Sequence, residues 1–96
     1  MSAKKRLELT RCAFRNIAAA EEYIARDNPA AAQKVVKSIY NTAEKLETFP
    51  EMGKPGRVPG TRELPLSEYP CTLVYRIKAS RVIVYAVLHQ SKQYPS

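Results

Sequence analysis

Apolar and polar positions alternate through Lys5-Arg6-Leu7-Glu8-Leu9, which predicts a short first strand. The period then changes. Thr10 is placed to cap a helix over residues 10–26, where Phe14, Ile17, Glu21 and Ile24 recur at helical spacing. Ala13, Ala18, Ala20 and Tyr23 fill that stripe, and Glu21 is its one blemish. Asp27-Asn28-Pro29 stops this helix and starts another, with Asn28 as cap and Pro29 at the first helical position. Ala32, Val35, Val36, Ile39, Tyr40, Ala43 and Leu46 then trace one wide apolar face to about Glu47. Two helices joined by so short a link form an antiparallel hairpin.

Residues 49–60 hold all three glycines and Pro50, Pro55 and Pro59, a density of breakers that predicts a loop with no regular element. Three strands follow. Residues 61–66 contain Pro65, which makes that strand short or confines it to an edge. Residues 72–78 and 81–88 are rich in β-branched and aromatic side chains, and only Ala79-Ser80 separates them, so they pair as a hairpin. The near-continuous apolar run of the last strand predicts a central position covered on both faces. The expected fold is α+β: an N-terminal strand, then a helical hairpin packed on one face of a small, mostly antiparallel sheet, in the order β-α-α-β-β-β.

The 96 residues allow one small domain spanning 1–96, and 45% hydrophobic content sets the chain outside the disordered class. No apolar run approaches the ~18 residues of a membrane helix, and the N-terminus lacks the apolar core of a signal peptide. Cys12 and Cys71 are too few for a disulfide framework, and with one histidine they match no zinc-ligand spacing. Reduced thiols in the cytoplasm are expected, with no metal and no cofactor. Charge is uneven. Residues 1–52 carry 9 Lys and Arg against 7 Asp and Glu, a net of +2, whereas residues 53–96 carry 7 against 2, a net of +5. A cationic C-terminal half points to an anionic partner, either nucleic acid or an acidic protein.

Five segments in register resemble the RelE/ParE toxin superfamily: Asp27-Asn28-Pro29-Ala30-Ala31-Ala32, Phe49-Pro50-Glu51-Met52-Gly53-Lys54-Pro55, Gly60-Thr61-Arg62-Glu63-Leu64, Val74-Tyr75-Arg76 and Val87-Leu88-His89-Gln90-Ser91. The resemblance implies the toxin of a type II toxin–antitoxin pair, a plasmid-stabilisation device that arrests growth until an antitoxin binds it. RelE-like members are ribosome-dependent mRNA endoribonucleases, whereas ParE-like members are associated with poisoning DNA gyrase. The long helical hairpin and Leu88-His89-Gln90-Ser91 look more like ParE.

A ribonuclease that uses no metal needs a general base, a general acid and fixed cations around one phosphate. Arg62 offers a rigid fork to a phosphate, His89 titrates near neutrality, and Tyr94 can stack on a base or donate a proton. Lys54, Arg57, Arg62 and Arg76 are the candidates for holding phosphates or a protein target. Each has a plainer reading. His89 can be a hydrogen-bonded rim residue, Arg62 a partner for a carboxylate such as Glu68, and Lys54 and Arg57 solvated loop cations. Tyr75 and Tyr85 read as packing residues. A missing second acid–base group lowers a nuclease rate by ~10²–10⁴, which favours the gyrase reading over ribosome-bound mRNA. The antitoxin is expected to be an acidic segment that folds as it docks, covering Arg62 or its neighbours.

Overall fold

The computed structural model describes residues 4–89. Strand β1 (Arg6–Leu9) leads into α1 (Arg11–Ala25) and α2 (Pro29–Lys45). A 3-10 turn at Pro50–Met52 precedes β2 (Lys54–Pro55), β3 (Arg62–Pro65), β4 (Cys71–Ile77) and β5 (Arg81–His89). The five strands lie in the order β1-β5-β4-β3-β2, with β1 parallel to β5 and every other pairing antiparallel. This is the expected α+β order with one added strand.

Both helices start where their caps place them. The Thr10 hydroxyl accepts the Ala13 N–H at 3.0 Å, and the Asn28 side chain accepts the Ala31 N–H at 3.1 Å, each satisfying a donor that the first turn leaves open. On α1, Ala13, Ile17 and Ala20 are buried and Ile24 packs against them. The inward stripe therefore runs 13, 17, 20, 24. Phe14, expected within it, is 50% exposed, and Glu21 lies outside it on an exposed position, so it is no blemish. On α2, Val35, Ile39, Ala43 and Leu46 are buried as the periodicity predicts. They meet Leu73, Tyr75, Val82, Val84 and Val87 of the sheet in one core.

Cross-strand register assigns the faces, because paired residues point the same way and neighbours along a strand point opposite ways. Leu73, Tyr75 and Ile77 pair with Val87, Val84 and Val82, and all six turn to the helices. The register shifts at Val74/Tyr75, where Ala86 and Val84 are the successive partners and Tyr85 is the extra residue. This β-bulge lets β5 bury Val82 and Val84 on one side of it and Val87 on the other, although their spacing breaks strict alternation. β5 lies between β1 and β4, and Ile83 on the open face is buried between its partners Glu8 and Arg76. Coverage of both faces, expected from the apolar run, is thus partly supplied by the stems of charged side chains.

Residues 49–60 depart from the expectation. They are not structureless: the 3-10 turn and β2 both form there, and β2 pairs Lys54 with Glu63 and Pro55 with Arg62. A proline is admitted because β2 is the outermost strand of the sheet, where an amide donor is not required. β3, expected to be short or at an edge, has only this two-residue strand outside it.

Candidate functional site

Arg62 pairs with Tyr75, so its side chain turns toward the helix side of the sheet. There Arg62 Nη1 donates to Gly53 O at 2.6 Å. Beside it the Tyr75 hydroxyl donates to Pro50 O at 2.7 Å and accepts the Gly53 N–H at 2.8 Å. Gly53 must be glycine for this contact, since a Cβ would stand 2.6 Å from Tyr75 Oη and 2.9 Å from Glu63 O. Burial pushes the Tyr75 hydroxyl above its ordinary pKa and Glu51 adds to the rise, while the Gly53 hydrogen bond and the Arg62 charge oppose it. The phenol therefore stays protonated and able to donate. Arg62 and Tyr75 together clamp the 3-10 turn onto the sheet.

The remaining candidates divide between the two faces. Lys54 shares a row with Glu63 and Val74 on the face away from the helices, and Arg76, two positions along β4, points the same way. Arg57 comes to this group through Glu63, with Nε 3.4 Å from Oε2 and the Arg57 N–H on the same oxygen at 3.1 Å. Arg76 Nη2 lies 3.5 Å from Pro59 O, and its guanidinium stands 6.0 Å from the centre of the Tyr85 ring. Lys54, Arg57 and Arg76 thus gather around Glu63 and the Gly60 turn, where Gly60 takes a φ of +87°.

His89 pairs with Cys71 on the helix side, and its ring meets Tyr23 edge-on with centroids 5.4 Å apart. Along β4, Cys71 and Tyr75 are four residues apart, so Arg62 and His89 are separated by about 13 Å of strand rise. Arg62 and His89 are not brought to one phosphate, and Arg62 does not share the open face with Arg57 and Arg76. Tyr94 lies outside the described residues. Among the described residues, no three of His, Cys, Asp and Glu gather as a metal site would need.

Two further features lie outside the candidates read from the sequence. Phe49 is 61% and Met52 46% exposed, and with Pro50, Glu47, Thr48, Glu51 and Lys5 they line a cleft of about 650 Å³. Asn16 reaches from α1 to accept the Val87 N–H at 3.0 Å, just past the bulge. An exposed phenylalanine beside prolines was a visible cue to the first; the second arises only from tertiary register.

A basic two-layer α+β chain with a helical hairpin over a mixed five-stranded sheet is the architecture of a class of small bacterial toxins. The model for the ParE toxin of the type II toxin–antitoxin system parDE matches residues 7–94, and the chain belongs to that family. The Sinorhizobium fredii protein called "Putative toxin Y4kP" is 37% identical over 93 residues, covering 97% of this chain and 96% of that protein. A solved chromosomal ParDE system from P. aeruginosa contains a chain that superposes with a TM-score of 0.80 at 26% identity, covering 92% of this chain and 98% of that one. The RelBE2 toxin–antitoxin complex of Mycobacterium tuberculosis shares the fold, with a TM-score of 0.66 at 19% identity over 96% of this chain and 98% of that one.

Proposed function

We propose that this type II toxin arrests growth by acting on DNA gyrase and is held inactive by a cognate antitoxin. The family match over residues 7–94, which is to ParE, carries the reading. The separation of Arg62 from His89 supports it, because nuclease chemistry needs its acid, base and cations at one phosphate. Expression of the chain without an antitoxin should depress DNA synthesis in pulse-labelled cells before protein synthesis falls. Immediate loss of protein synthesis with cleaved mRNA would favour the ribosome instead.

The antitoxin presents an acidic segment to a chain of net charge +7, and charge speeds the encounter. Its apolar anchor seats in the cleft of Phe49 and Met52, where exposed apolar area supplies the binding energy that surface charge does not. Mixed at micromolar concentration, the toxin and the protein encoded beside it should elute as one complex. Phe49→Ala with Met52→Ala should weaken that complex at least tenfold; separate elution of the unaltered pair would refute the partnership.

A further inference from the structure

The start of β1 meets the turn between β4 and β5 at one corner of the sheet. Arg6 pairs directly with Arg81, and Lys78 closes the turn through its N–H to Arg81 O at 2.8 Å. Ile77 and Val82, one step along, face the helices, so Arg6 of β1, Arg81 of β5 and Lys78, the residue after β4, form a row on the open face. All three are exposed. Among the described residues, Glu8 pairs with Arg81, with Oε1 at 3.1 Å and Oε2 at 3.3 Å from Nη1. Lys5 adds its charge at the tip, where Nζ donates to Lys78 O at 2.9 Å and Ala79 O at 2.8 Å. With Lys4 the corner holds five cations, and Lys4, Lys5, Arg6, Glu8, Ser80 and Arg81 line a cleft of about 780 Å³.

Like charges placed directly opposite on neighbouring strands destabilise a sheet. A row of three with one carboxylate is a local cost that an anionic occupant removes. Among the described residues, the lining of this cleft has no apolar side chain to anchor a folding peptide. Nor do those residues offer an aromatic platform for single-stranded bases, and Tyr85, elsewhere on that face, already lies beneath Arg76. What remains is an array of guanidinium and ammonium groups suited to consecutive phosphates of a duplex, gripped without regard to sequence. We infer that the Arg6–Arg81–Lys78 corner is a binding surface for the phosphodiester backbone of double-stranded DNA. This goes beyond the toxin's protein target, and a toxin with another target would carry the surface equally.

The test is fluorescence anisotropy with a labelled DNA duplex of random sequence and the full chain, over a range of salt concentrations. Arg6→Gln combined with Lys78→Gln should weaken binding at least tenfold at low salt and reduce the slope of log K against log[salt] by about 1.8, two phosphate contacts' worth. Lys34→Gln with Lys37→Gln removes the same charge from the exposed side of α2 and should change binding less than threefold. The corner variant should melt at or above the parent temperature, because the row's repulsion is relieved. Equal loss in the α2 variant would reduce the effect to net charge and overturn the proposal. So would no duplex binding by the parent chain, a lowered melting temperature in the corner variant, or tighter binding of single-stranded RNA or polyglutamate than of the duplex.

Discussion

Tyr75 is fully enclosed by the core yet delivers its hydroxyl to two main-chain groups of the 3-10 turn, so one side chain serves packing and anchorage together. Tyr75→Phe keeps the ring and leaves Gly53 N–H and Pro50 O without their partner. Urea unfolding should report a loss of about 1–3 kcal/mol. Arg62→Ala removes a charged donor from Gly53 O and should cost about 1–2 kcal/mol in the same measurement. Alkaline pH acts on the same part of the core. Burial pushes the Cys71 thiol above its ordinary 9.0, and Tyr75 is raised above 10.0. The unfolded chain gives up these protons first, so stability is complete below pH 9, falls as pH passes 9.0 and then 10.0, and keeps falling until the folded groups ionise. Cys71→Ala should flatten the first stage of this decline and leave the second.

At the scale of elements, the start of α1 is fastened to the bulge of β5. Thr10 N–H donates to Val84 O at 3.0 Å, its hydroxyl donates to Tyr85 O at 2.9 Å, and Asn16 takes the Val87 N–H. Thr10→Val removes the helix cap and the hydroxyl tie at nearly constant volume, and should cost about 1–2 kcal/mol in thermal or urea unfolding. Both helices were legible because their signals are local: Thr10, Asn28 and Pro29 act within one turn, and the α2 stripe repeats for four turns. The two-residue β2 was not, since Lys54 and Pro55 become a strand only by pairing with β3. The bulge was hidden for a related reason, because an unbroken apolar run does not show where its alternation slips. The side taken by Arg62 was within reach. It stands two residues before the apolar Leu64 and so shares its face.

The whole molecule separates two surfaces around one shared core. An apolar cleft at Phe49 and Met52 sits at the end of α2, while the open sheet face carries Lys54, Arg57 and Arg76 near Glu63 toward the β2 edge and the Arg6–Arg81–Lys78 row toward the β1 edge. Composition announced the positive charge but placed it mainly in the C-terminal half. Folding brings Lys4, Lys5 and Arg6 from the other half against Lys78 and Arg81, a juxtaposition that the parallel β1–β5 pairing creates and no linear count contains. The reading of this toxin as a gyrase poison is tested most directly with purified components. Relaxed plasmid, gyrase and ATP are incubated with increasing amounts of the full chain, and the DNA is resolved after detergent and protease treatment. Supercoiling should fall with dose while linear DNA accumulates from trapped cleavage complexes; supercoiling at the unimpeded rate with the chain in large excess would contradict the account.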